Sequence, residues 1–123
     1  MNNEPIVAWT EIPVSDLNKA IAFYNAVFDW NMTVDTSGPN PVANLGGSME
    51  NGAGHLYPGV PANGNGPTAH ILVRDRLEDA VIRCRKAGGT LVSEIISIPP
   101  GRFIYATDPD GNSIGLFERA KAA

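Results

Sequence analysis

A 123-residue chain that carries one βα pattern twice has few ways to fold, and this one nearly repeats itself at an offset of about sixty positions. Apolar residues at Leu17, Ala20, Ile21, Tyr24 and Val27 mark a first helix, and Leu77, Ala80, Val81, Cys84 and Ala87 stand in the same places of a second. That spacing gathers each set on one helix face. Each helix follows an apolar run ending in Val and a turn holding Asp, Val14-Ser15-Asp16 in the first copy and Val73-Arg74-Asp75-Arg76 in the second. Two copies imply two similar modules that share a surface. Small molecules favour concave sites between packed units, so that surface is the first place to look for function.

The alternation of apolar and polar residues predicts a strand over 6–14, with Ile6, Ala8, Ile12 and Val14 on one face and Val7, Trp9, Glu11 and Pro13 on the other. Ser15 or Asp16 supplies a cap for a helix running to about Asp29, because a short side-chain oxygen accepts from the unpaired first-turn amides. A half-buried strand is expected over 30–34, where Trp30, Met32 and Val34 alternate with polar neighbours. Two weak strands near 42–45 and 53–57 follow in a segment rich in Gly, Pro, Asn and Ser. A Gly- and Pro-rich linker over 58–67 then leads to the second copy: a strand at 68–73, a helix at 77–87 and strands near 91–98, 103–107 and 113–118. Gly88-Gly89 stops the helix and Asp108-Pro109-Asp110-Gly111 makes a tight turn, Pro fixing φ and Gly accepting positive φ. The expected organisation is a single domain of residues 1–123, with a first module over about 4–58 and a second over about 68–119, each βαβββ.

Thirteen acidic against nine basic residues leave a net charge of −4 with no Lys or Arg run, so the electrostatic footprint of a nucleic-acid binder is missing. The first residues lack the positive and apolar regions of a secretory signal, and no segment approaches the ~20 apolar residues that cross a bilayer. A cytoplasmic protein with no nucleic-acid or membrane partner is expected. Cys84 is the single cysteine, which rules out an internal disulfide and a cysteine metal site, and its helix position reads as buried. Asn31-Met32-Thr33 matches a glycosylation acceptor by coincidence in such a setting. No complete phosphate-binding glycine motif or nucleophile-elbow serine is present, which argues against nucleotide binding and covalent catalysis.

The string Trp9-Thr10-Glu11-Ile12-Pro13-Val14-Ser15-Asp16-Leu17, the helix end from Ala22-Phe23-Tyr24 to Phe28-Asp29-Trp30, then Ala87-Gly88-Gly89 and Asp108-Pro109-Asp110-Gly111-Asn112 occur in an order and at a spacing that resembles the vicinal oxygen chelate superfamily. Glyoxalase I, bleomycin-resistance proteins and extradiol dioxygenases belong to it. The resemblance implies an α+β fold in which two pseudo-twofold-related βαβββ modules curl mixed sheets into a cup. It also implies a homodimer and, in the enzymes, a divalent metal held by His, Gln or Glu on the first and last strand of each module. Carried onto this chain, those four positions are Trp9, His55, Thr68 and Gly115, of which His55 alone is a metal-binding residue. An ion such as zinc needs three protein ligands or more, so the usual site is expected to be absent, with no cofactor.

Glu11 follows Trp9 by two residues and His70 follows Thr68 by two, which makes Glu11 and His70 repeat partners on presumed inner faces. Across a pseudo-twofold cup they are expected to meet as a carboxylate beside an imidazole, able to orient a ligand or move a proton. Such a neighbour would raise the pKa of His70. Trp9 and Tyr105 offer aromatic walls that core packing explains about as well, His55 reads first as a solvated strand end, and the plain alternative for Glu11 and His70 is a solvent-facing rim or, for His70, a structural histidine. Glu118 falls on the face opposite Gly115 and is read as a surface residue. The leading expectation is a protein that binds a small organic molecule in the cup, with Trp9, Glu11, His55, His70 and Tyr105 as ligand-binding candidates and Glu11 and His70 as catalytic ones. The alternatives are a metal-dependent lyase, isomerase or dioxygenase with Glu11, His55 and His70 as a shifted divalent-metal set, and a non-catalytic subunit.

Overall fold

The computed structural model describes residues 6–121, so the expected start of the first module near residue 4 lies outside the described residues. Two helices and two mixed sheets make an open α+β fold. In the first half, β1 (Thr10–Val14), α1 (Leu17–Phe28), β2 (Ala43–Asn44) and β3 (Gly54–Pro58) form a sheet in the order β1-β3-β2. In the second, β4 (Ala69–Leu72), α2 (Leu77–Lys86), β5 (Thr90–Leu91), β6 (Ile96–Ile98), β7 (Gly101–Thr107) and β8 (Ser113–Arg119) form a sheet in the order β4-β8-β7-β5, with β6 also paired to β7. The repeat is visible in the topology. In each half the strand before the helix pairs in parallel with the last strand, Glu11 opposite His55 and His70 opposite Gly115. No described helix is long and apolar enough to cross a membrane.

Ile12 and Val14 point into the core with Ala20, Phe23, Tyr24, Val27 and Phe28 of α1, and Leu77, Ala80 and Cys84 of α2 are fully buried beside Ile114 and Leu116 of β8. The cap of α1 is Asp16, whose side chain accepts from Lys19 N at 3.1 Å. Helix α2 begins without a side-chain cap from its own sequence neighbours. Instead the Leu77 amide donates to Glu118 Oε1 on β8 at 2.7 Å, and Arg102 of β7 grips both Glu118 and Glu78. Glu118 therefore lies on the helix side of the sheet, away from Gly115 as expected, but as part of a tertiary clamp rather than a bare surface residue.

Three expectations need correction. Residues 6–9 are not in the first strand, and Ile6 is almost fully exposed. The ladder starts where Thr10 meets Gly54, an approach so close that a Cβ on Gly54 would overlap the Thr10 carbonyl, and Gly54 has the positive φ that favours glycine. Residues 30–34 form no strand. The side-chain amide of Asn25 takes the place of a neighbouring strand, accepting from Met32 N at 2.8 Å and donating to Met32 O at 3.2 Å, so Met32 is buried without a ladder. Finally, the two halves are not both βαβββ: the first has three strands, and the second has five because its 91–98 segment forms two short strands.

The halves are joined through helices and turn. Helix α1 packs against α2, and Arg83 Nε donates to Val27 O at 3.0 Å. Tyr24 OH donates to Asp108 Oδ2 at 2.7 Å in a buried contact, Asn112 Nδ2 donates to Pro13 O at 2.7 Å, and Ser15 bonds Asp110. Asp108 also accepts from the amides of Asp110 and Asn112, so one buried carboxylate organises the predicted turn and fastens it to α1.

Candidate functional site

In β1 the side chains alternate, so Ile12 and Val14 enter the core while Glu11 faces the other way, and Trp9, just before the strand, lines the same cavity as Glu11. The neighbouring strand β3 does the same, burying Leu56 and turning out His55 and Tyr57. Because Glu11 and His55 are register partners, their side chains meet: His55 Nε2 lies 2.9 Å from Glu11 Oε2. On the far side of the ring, Trp9 Nε1 donates to His55 Nδ1 at 3.3 Å. An indole N–H only donates, so Nδ1 accepts and the hydrogen sits on Nε2, which donates to Glu11. His55 is 17% and Glu11 63% exposed as side chains, so the ring is held inside and the carboxylate reaches solvent.

This line forms one wall of a cavity of about 680 Å³. Trp9, His55 and Tyr57 supply successive edge-to-face rings, the Trp9 and His55 centroids 5.5 Å apart and those of His55 and Tyr57 6.1 Å apart. Asp35, residues 37–42 and Met49 complete the lining. Asp35 stands at the rim, where Ser37, through its amide at 2.9 Å and its hydroxyl at 2.6 Å, and Asn44 Nδ2 at 2.9 Å hold its carboxyl below the usual carboxylate range. The size fits an organic molecule of modest mass.

His70 is elsewhere. It lines a separate groove at the seam of the halves, between Thr10 and Trp30 on one side and 69–74 on the other, and Glu11 is not part of that groove. The structure thus does not bring Glu11 and His70 together; the partner of Glu11 is His55, one strand away. The reason lies at Gly115. A Cβ there would lie 2.0 Å from His70 Nδ1, so the imidazole rests over the glycine backbone, in the space a side chain at 115 would fill. Around it stand Phe103, Tyr105 and Phe117, at ring distances of 4.7, 5.5 and 6.0 Å. Tyr105 belongs to this cluster and not to the cavity of the first half. Desolvation by these neighbours pushes the His70 pKa below its ordinary 6.5, opposite to the rise expected from a carboxylate partner.

At the four positions where the resemblance implies metal ligands, Trp9 presents a donor N–H, Thr68 shares a hydrogen bond with Ser113, Gly115 has no side chain, and both nitrogens of His55 are engaged. A shifted set of Glu11, His55 and His70 is divided between two cavities. Among the described residues no three His, Cys, Asp or Glu side chains gather to hold an ion. The residues present do not fit the group. Cys84 is fully buried, and burial pushes its thiol up to about 11, so it offers no thiolate.

Sequence reasoning missed Tyr57, Met49 and Asp35. Tyr57 had a signal, since it lies two residues after His55 on the same strand face. Met49 opens a single 3-10 turn and Asp35 sits at an isolated bridge to Val42, both too short to leave a periodicity that would place them.

Comparison with solved structures finds the same fold in a glyoxalase/bleomycin resistance protein from Albidiferax ferrireducens, with a TM-score of 0.70 at 20% identity over 94% of this chain and 100% of that one. An antibiotic binding protein from Streptomyces sp. CB03234 has a TM-score of 0.63 at 23% identity, covering 98% of this chain and 100% of that one. A curated relative, a glyoxylase-like domain-containing protein of Didymella fabae, is 27% identical over 92% of this chain and 93% of its own length. The family model for the glyoxalase/bleomycin resistance protein/dioxygenase superfamily matches residues 6–116. With nearly its whole length matched, and with paired βα halves whose first and last strands lie side by side, the chain belongs to the glyoxalase/bleomycin resistance protein/dioxygenase superfamily.

Proposed function

We propose that this protein binds a small organic molecule in the cavity walled by Trp9, His55 and Tyr57, and that it does so without a divalent metal. The observation that carries this reading is the line Trp9–His55–Glu11: it consumes both nitrogens of the one histidine at a family ligand position and turns a coordination site into a fixed wall. A rigid aromatic wall beside a cavity of about 680 Å³ is suited to stacking and hydrophobic burial of a ring system. With no thiol in its lining and its imidazole engaged on both sides, the site supports retention of the ligand rather than its turnover. The solved relative described as antibiotic binding is consistent with such a role.

Protein purified without added metal is expected to contain well under one equivalent of Zn, Fe, Mn, Ni or Co per chain by elemental analysis. Ligand-detected NMR against a library of planar organic molecules is expected to yield binders unaffected by a chelator. Stoichiometric metal whose removal also abolishes binding would instead establish a metal site and overturn the proposal.

A further inference from the structure

The cavity of the first half has a one-sided charge. Two carboxylates border it, Glu11 and Asp35, and among its described lining residues there is no Lys or Arg. Glu11 meets His55 Nε2 at 2.9 Å, and the Trp9 N–H points at the other ring nitrogen. One oxygen of Glu11 takes the His55 hydrogen bond, and the carboxylate is 63% exposed. Asp35 is oriented by Ser37 and Asn44 and stays ionised. The same cavity is lined by Trp9 and Tyr57, whose rings attract a cation placed within about 6 Å of their centroids. The basic side chains of the clamps are committed elsewhere, Arg83 to Asp75 and Arg102 to Glu78 and Glu118.

We infer that the cavity selects organic cations, namely planar aromatic molecules bearing a protonated amine, with the ring laid against Trp9 and Tyr57 and the charge directed to Glu11 and Asp35. A neutral ring of the same shape gains the stacking but not the charge-assisted contacts, and an anionic one meets two like charges. This rests on the reading that the cavity is the binding site.

Three probes of one shape separate the two ideas: an aminoacridine, cationic at neutral pH; acridine, mostly uncharged there; and an acridinecarboxylate. Fluorescence titration of the intact protein is expected to give aminoacridine affinity roughly tenfold above that of acridine, with the carboxylate weakest and the preference shrinking in high salt. Glu11→Gln should reduce aminoacridine affinity about fivefold and leave acridine unchanged, and Asp35→Asn should act in the same direction. If all three probes bind alike and Trp9→Ala weakens all three, the cavity stands as the site and the charge selection falls. If aminoacridine does not bind, or binds equally well to Trp9→Ala, the inference is overturned; binding that ignores Trp9 also removes the cavity reading beneath it.

Discussion

Glu11 opposite His55 in the first half, and His70 opposite Gly115 in the second, are the same rung of a repeated ladder. In the first, both partners carry side chains, so the imidazole stands between a carboxylate and an indole and its two nitrogens are fixed. In the second, the partner is glycine, and the imidazole lies down on the backbone and joins three aromatic rings. One missing side chain thus separates an imidazole hydrogen-bonded in a cavity wall from one packed among aromatic rings. The lesson is that a repeat transmits backbone register faithfully, while the chemistry of each rung depends on whether the residue across the ladder leaves room.

The comparison requires that the two halves be held as one body, and the strongest way to break it is at the turn that joins them. Asp108→Ala leaves Tyr24 OH and the turn amides without their buried acceptor, which is expected to cost roughly 2–4 kcal/mol in urea unfolding. Tyr24→Phe, which removes a single donor, should cost less. A value near zero for Asp108→Ala would show that helix packing alone joins the halves.

The division of roles between the halves is tested by truncating one aromatic wall at a time. Trp9→Ala is expected to weaken binding of any cavity ligand by about 2 kcal/mol, roughly thirtyfold, since it removes a ring and also releases His55 Nδ1. Tyr105→Ala, in the other half, should leave calorimetric affinity within experimental error. Equal losses in the two variants would mean that one ligand bridges both faces.

The smallest effect is the most specific. His70 should titrate below 6.5 by NMR, because its charged form is desolvated. A folded-state pKa below the unfolded one means that folding opposes protonation, so this group's contribution to stability is complete above 6.5 and declines as the pH falls through that value toward the lower folded pKa. Gly115→Ala fills the seat, displaces the ring and should move the titration back up toward 6.5. Glu11→Gln should leave the His70 curve unchanged, as the two groups face different cavities. A drop in the His70 value on Glu11→Gln would revive a shared site.

Much of the architecture is legible in the sequence. Apolar spacing located both helices, alternation sent Ile12 and Val14 inward, and Asp108-Pro109-Asp110-Gly111 announced its turn, because these are consequences of local geometry and of which side chains water excludes. Alternation also placed Trp9 and Glu11 together on the face that became a cavity wall. The strand expected at 30–34 failed although its alternation was sound, since Asn25 occupied the backbone groups a ladder would have used.

What the chain by itself determined is therefore the repeat, the two βα units and the faces of their strands. Only tertiary structure decided which titratable group meets which. Glu11 finds His55 forty-four residues away through strand register, and His70 turns aside because Gly115 opens a space beneath it. Both outcomes depend on pairings between distant segments and on a volume left empty across a ladder, and neither quantity is written in the local pattern of a sequence.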